Sequence, residues 1–518
     1  MTDGIAPIEL PETPKRRRRR RRTRIALLIA ALVVVAGAVW FATTVFGACG
    51  SLGSGVRKVD GECVGVTDGS YVFHPELVDV QRRIAEENAR VRAGSSSYAT
   101  VALLDPLTPT AESGLPAAQV RNRLEGAYTA LHRVNTTPVA GDTRPRIQLL
   151  LANEGSTDAQ GHRVVDQLVR MSKQKDHPLV AVVGLGVSTE QTQRQATELS
   201  KQGIPMIGAY LTADVLDYDH IPGLIKTSPS NRQYVDALRD YANSSNDTGI
   251  GSAIMVRDSN ADSGMDLYAQ TLENDFSRQM KDRIDFPAQQ YAGKTGSTGA
   301  DPDLFARVQA NICASTGSGP GKGLQTVLYA GREVDIGAFL ESLEHRTCRN
   351  AHLTILTAGL ELGGILRGQN QKLVAANLTV VSAGTVDVGG WGQNAKGTPE
   401  HYHDFLSAFQ KQRFDPAHLD DGGAIMMHDA VLTAAQAVRL AAPNGSTSFL
   451  TPSDVHAQLL NLNTLNSVPG ASGTLSFSTG ASSAGGNPKG KPIPVLQYPQ
   501  PPDNPSRQVG TLYRVTGQ

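Results

Sequence analysis

Aromatic residues are scarce, at 5% of 518 residues, and there are two tryptophans, Trp40 and Trp391. Trp40 falls in an apolar run, so Trp391 is the one tryptophan outside it. Sugar sites usually offer stacked aromatic faces, and this composition argues against a carbohydrate ligand. Cysteine is also sparse: Cys49, Cys63, Cys313 and Cys348. No CxxC pair or close Cys/His cluster occurs, which removes the usual zinc spacings. His401-Tyr402-His403-Asp404 does not repair this, because residues two apart on a helix do not face each other. The sequence has no Gly-x-Ser-x-Gly nucleophile elbow and no paired carboxylates that can be singled out.

Two stretches imitate phosphate loops and fail in detail. Ala288 stands where the first glycine before Gly293-Lys294-Thr295 belongs. Thr316 and Gly323 replace the first glycine and the Ser or Thr around Gly321-Lys322. Gly184-Leu185-Gly186 follows a strand pattern but lacks the third glycine of a dinucleotide fingerprint. The expectation is a protein that is not an enzyme and uses no cofactor and no metal.

Positive and negative charges balance at 49 each, but unevenly along the chain. Lys15, Arg16 to Arg22 and Arg24 place nine basic groups in ten residues, and the rest of the chain is mildly acidic. Such a tract could address nucleic acid. Residues 25–48 directly after it are free of charge, and as a helix would span roughly 36 Å, enough for a hydrocarbon core of about 30 Å. The tract then reads as a cytoplasmic topology signal, with no nucleic-acid partner and the body of the chain outside. Three readings of 25–48 stand: an uncleaved signal anchor, a lipoprotein anchored at Cys49 after Phe46-Gly47-Ala48, and simple cleavage. The length of the run favours the anchor. An even cysteine count in an exported chain suggests two disulfides, and of three connectivities local pairing, Cys49–Cys63 and Cys313–Cys348, is favoured.

Residues 49–74 lack apolar periodicity and read as a juxtamembrane linker. Pro75 then opens a helix with Leu77, Val80, Ile84 and Val91 on one stripe, read as a stalk or as a helix packed on the first lobe. From Tyr98 onward apolar runs alternate with amphipathic segments. Strand patterns at 100–104, 146–151, 180–183 and 204–207 interleave with helical ones at 120–134, 163–171 and 189–201. A second series begins at 251–256 and continues through 325–328 and 353–356. This rhythm predicts an α/β protein with two lobes, each a mostly parallel sheet with helices on both faces.

Several motifs occur in a telling order. Thr100 to Leu104 leads into Asp105-Pro106-Leu107-Thr108, followed by Glu125-Gly126-Ala127 and Val134-Asn135. Val182-Val183-Gly184 runs to Ser188-Thr189, then Gly203-Ile204-Pro205-Met206-Ile207 and Thr212-Ala213. Asp258 to Gly264, Tyr329-Ala330-Gly331, Asp429-Ala430-Val431 and Gly473-Thr474-Leu475-Ser476-Phe477 complete the series. From Tyr98 to about Tyr498 the chain resembles the type 1 periplasmic-binding-protein family, above all branched-chain amino-acid-binding proteins of ABC transporters. The resemblance implies lobes joined by three crossovers, placed near 221–227, 383–399 and 465–475. The implied order is a basic tail (1–24), a transmembrane helix or signal anchor (25–48) and linker with stalk (49–97). Lobe 1 (98–221, completed by about 395–470), lobe 2 (222–394, completed by about 471–500) and a loose tail (501–518) follow.

Ser188 and Thr189 also carry a physical signal of their own. With Gln191 three beyond Ser188 they form a capping-box pattern at a helix N-terminus, which attracts anions. By resemblance, Ser188 and Thr212 match residues that hold a ligand's α-carboxylate, and Glu361 falls near the acid that holds its amine. Tyr210 replaces a small residue, Ser263 stands where a tyrosine is common, and Arg332 where an aromatic is common. The site residues expected are therefore Ser188, Thr189, Tyr210, Thr212, Ser263, Arg332 and Glu361. The function expected is a membrane-tethered extracytoplasmic solute-binding protein. It would capture a small polar ligand, amino-acid-like or carboxylate, for uptake through an ABC permease. The alternative is a membrane-anchored ligand sensor or scaffold.

Overall fold

The structure, a computed structural model, describes residues 49–50, 55–94, 97–110, 113–244, 250–293, 302–317, 323–359, 362–477, 485–499 and 512–516. The first half runs β1 (Val56–Val59), β2 (Glu62–Thr67), α1 (Val78–Gly94), β3 (Tyr98–Asp105), α2 (Ala117–Thr136) and β4 (Arg146–Asn153). It continues through α3 (Gly161–Ser172), β5 (Leu179–Gly184), α4 (Glu190–Lys201), β6 (Met206–Gly208) and β7 (Leu224–Lys226). These seven strands form one sheet in the order β1-β2-β4-β3-β5-β6-β7, parallel from β4 to β7 with an antiparallel hairpin, β1–β2, added at one edge.

The chain then crosses through Thr227–Ser230 into α5 (Asn231–Ser244), β8 (Ala253–Asp258), α6 (Leu267–Gln279), β9 (Ile284–Tyr291) and α7 (Ala306–Thr316). After these come β10 (Thr326–Ala330), α8 (Glu333–Glu344), β11 (Leu353–Ala358) and β12 (Leu378–Ala383). It returns to the first lobe for α9 (Tyr402–Lys411), α10 (Gly423–Ala441) and the small hairpin β13 (Val468–Gly470) with β14 (Gly473–Leu475). A last crossing reaches β15 (Pro492–Tyr498) and β16 (Leu512–Val515). The second sheet has the order β16-β15-β12-β11-β10-β8-β9.

The runs that read as buried strands are buried because helices cover both faces of each sheet. All of 101–104 and 180–183 have at most 1% exposure, as a parallel sheet between helix layers requires. Helix α10 is buried along nearly its whole length and packs on α2. At the crossing, a side chain on Gly126 would put its Cβ 1.9 Å from the Ala424 carbonyl oxygen. Only hydrogen fits there.

Four expectations need correction. No helix of the described residues is long and apolar enough to cross a membrane, and 25–48 lie outside those residues. The transmembrane helix, the signal anchor, the single-pass location and the membrane as partner are therefore not carried further. The lipoprotein alternative also fails, because lipid attachment needs a free thiol and the Cys49 sulfur is bonded to Cys63. Where a linker was expected over 49–74, β1 and β2 extend the first sheet, with Arg57 and Lys58 of β1 exposed at its edge. In the expected loose tail, β16 pairs antiparallel with β15. Cys313–Cys348 is the second disulfide.

Candidate functional site

Each sheet has a point where its strand order reverses, and ligands of open α/β sheets bind outside the carboxyl ends of the strands there. In the first lobe β3 lies between β4 and β5, and in the second β8 lies between β9 and β10. The turns after β5 and β10 carry Ser188 and Arg332. They meet.

After β5 the backbone takes three successive left-handed residues, Gly184, Leu185 and Gly186 (φ 93°, 66° and 57°). This turn delivers Ser188 to the interior, at 2% exposure. Its hydroxyl oxygen accepts from the backbone N–H groups of Thr212 (3.0 Å) and Ala213 (3.2 Å), tying the turn after β5 to the turn after β6. The helix cap is one residue later than the capping-box reading placed it: Thr189 Oγ1 accepts from Thr192 N at 3.1 Å. The Thr189 hydroxyl also donates to Asp158 Oδ2 at 2.5 Å.

Across the cleft, Arg332 ends its strand–helix turn at the N-cap position of α8. Its Nη2 donates to the Ser188 carbonyl at 3.0 Å, and Nε and Nη2 grip the Asp266 carboxylate at 2.5 and 3.0 Å. Burial opposes the Arg332 charge, but Asp266 outweighs it and holds the guanidinium above its ordinary range. Asp266 is wholly buried and caps α6 by accepting from Ala269 N. Tyr268 lies under the guanidinium, 5.6 Å from ring centre to Cζ, and donates its backbone N–H to the same Ser188 carbonyl at 3.2 Å. Glu190 N reaches Met265 O at 3.1 Å, Asn231 N reaches Thr212 O at 2.8 Å, and Leu267 packs into the apolar core of the first lobe. The lobes are closed on one another here.

Of the expected site residues, the structure brings Ser188, Thr212 and Arg332 into one cluster, with Thr189 beginning the adjoining helix. Tyr210 is engaged inside the first lobe, its hydroxyl donating to Gly423 O at 2.6 Å and its ring under Arg123 at 3.9 Å. Ser263 sits on an exposed turn, bonded to Asn260 O. Glu361 lies outside the described residues. Asp266, Tyr268 and Asn231 were missed. An aspartate three residues before Ala269 is a legible helix cap, but nothing local to it announces an arginine 66 positions on. Beside Thr212, Lys226 is fully buried with its Nζ on Ala213 O at 3.0 Å, and burial lowers its pKa to about 8.

No family model matches the chain, and no curated protein matches it. Solved structures do. An ABC transporter substrate-binding protein from Desulfitobacterium hafniense in complex with Leu is 14% identical with a TM-score of 0.53, covering 80% of this chain and 100% of that one. The branched-chain amino-acid transporter substrate-binding protein LivJ from Streptococcus pneumoniae, in complex with isoleucine, is 16% identical with a TM-score of 0.51, covering 77% and 95%. A solute-binding protein of an ABC transporter from Rhodopseudomonas palustris BisB5, in complex with 3,4-dihydroxybenzoic acid, is 14% identical with a TM-score of 0.54, covering 81% and 96%. The chain has the two-lobed fold of type 1 periplasmic binding proteins. These neighbours are described as substrate- or solute-binding proteins, and none as an enzyme. Among the described residues, no group of three or more His, Cys, Asp or Glu is placed to hold a metal.

Proposed function

We propose that this periplasmic-binding-protein-like chain captures a small carboxylate, amino-acid-like or aromatic, between its lobes for ABC-type uptake. The observation that carries this reading is the meeting of Ser188 and Arg332, from turns beside the two points where strand order reverses, with Thr212 bonded to Ser188. The N-terminus of α4 at Thr189 gives this corner a partial positive charge suited to an anionic end, while Asp266 neutralises Arg332. Neighbours of the same fold that hold leucine, isoleucine and benzoate-type acids support the choice of ligand class. A second reading, a sensor or scaffold, draws on one observation: Arg332 and Tyr268 already join the lobes at Ser188.

The test is a thermal-shift and fluorescence screen of amino acids and small aliphatic and aromatic carboxylates. A ligand at 100 times its Kd adds about 2.7 kcal/mol of stability, and lobe motion near Trp391 should alter its emission. Thr212→Val keeps the backbone groups that bind Ser188 and Asn231, so it should weaken binding tenfold or more without lowering unliganded Tm. A panel that moves neither signal overturns the capture reading in favour of the scaffold.

A further inference from the structure

A cavity of about 510 Å³ lies in the first lobe away from the cleft, between the 139–144 loop, the last turns of α10 and residues 465–474. Arg439 on its wall is 7% exposed. Its guanidinium is satisfied by carbonyls alone, Nη1 on Ala140 O at 3.2 Å and Nη2 on Val134 O at 2.5 Å. Among the described residues its Nε has no acceptor and no carboxylate forms an ion pair with it. Burial pushes its pKa down to about 10 even though Asp142, on the same wall, acts in the opposite direction. A buried cation without a counterion is costly, and neutral carbonyl dipoles offset that cost less well than a carboxylate does.

The rest of the lining has matching chemistry. Arg144, exposed at the rim, adds a second positive charge against the single negative charge of Asp142. Gln436 spends its amide N–H groups on the carbonyls of Asn466 and Ser467, and its Oε1 has no donor among the described residues. Leu440 and Leu465 supply apolar wall, and Leu465 is 97% exposed although it is a large hydrophobe. Two arginines against one aspartate leave room for one negative charge, and the leucines suit a hydrocarbon body.

We propose that this cavity is a second small-molecule site, separate from the interlobe cleft, that takes a monocarboxylate with an apolar body. The probe is 4-azidobenzoate, photolysed with the full-length chain, followed by peptide mapping. Label is expected on peptides containing 139–144, 436–443 or 465–474. Arg144→Gln and Arg439→Gln should each cut that labelling at least tenfold, whereas Thr212→Val, in the cleft, should leave it unchanged. Arg144 lies at the surface, so its variant remains informative if Arg439→Gln does not fold. Label confined to other peptides, or undiminished in Arg144→Gln, overturns the site, and neither outcome depends on whether the cleft binds.

Discussion

Arg332 grips Asp266 at both carboxylate oxygens, at 2.5 and 3.0 Å, while its Nη2 also reaches across the cleft to the Ser188 carbonyl. Strand–helix turns of both lobes thus share one guanidinium. The pair is buried, with 7% exposure at Arg332 and none at Asp266. Removing one partner of such a pair leaves an uncompensated charge, at a cost of about 3–5 kcal/mol. Asp266→Asn retains a capping oxygen for α6, so its loss of stability in urea unfolding reports the charge. The expected loss is in that range, with much of it recovered in Asp266→Asn/Arg332→Met. A loss under about 1 kcal/mol, near what an exposed pair is worth, would contradict this account.

Gly126 is the second sensitive point. Its missing side chain lets α2 and α10 touch, with the Ala424 carbonyl where a Cβ would lie. The neighbour is backbone of a buried helix, so it cannot turn aside as a side chain could. Gly126→Ala gains about 1 kcal/mol in helix propensity, yet overpacking costs about 1–3 kcal/mol or more. The expected outcome is a lower Tm, read by calorimetry. A rise in Tm would show that the helices separate without penalty.

Much of this architecture is legible because parallel strands covered on both faces become uninterrupted apolar runs, as at 100–104 and 180–183. The β1–β2 hairpin is not legible for the complementary reason. Arg57 and Lys58 of β1 face solvent at the sheet edge, so no long apolar signal forms. The last crossing comes after β14, later than the expected 465–475, because Val468, Ala471 and Leu475 are held in the first lobe's core. At the site, Ser188 and Thr189 are both good capping residues, and composition cannot choose between them. The Asp266–Arg332 pair depends on which turns the two lobes bring together, which no local pattern encodes.

The Cys313–Cys348 link closes a loop of 35 residues. By chain entropy alone, it should stabilise the fold by about 4 kcal/mol. Cys313→Ala/Cys348→Ala should lose an amount of this order in denaturant unfolding, with non-reducing peptide maps confirming the bond in the parent chain. Free thiols at both positions in the parent would refute the link.

Lys491 carries the clearest pH dependence. It lies in the last crossing between lobes, wholly buried, with Nζ at 2.9 Å from the Thr227 carbonyl of the first crossing and 3.1 Å from Met426 Sδ. Burial lowers its pKa to about 7, and the charge of Asp429 opposes that only in part. Asp429 is already committed to His428, Ala471 and Ser472. Lys226 is lowered as well, to about 8. Between these values and the ordinary 10.5, the unfolded chain holds protons that the folded chain has released. Stability therefore rises with pH across that window, by up to about 1.4 kcal/mol per unit for each proton. Below pH about 7 both states are protonated at Lys491, and the full cost of its buried cation remains. Lys491→Met keeps an apolar stem of similar length and removes the charge. Urea unfolding from pH 6 to 9.5 should show the variant more stable than the parent at pH 6, with the advantage shrinking steadily as pH rises. Parallel stability curves for the two proteins would mean that Lys491 keeps an ordinary pKa in the folded chain.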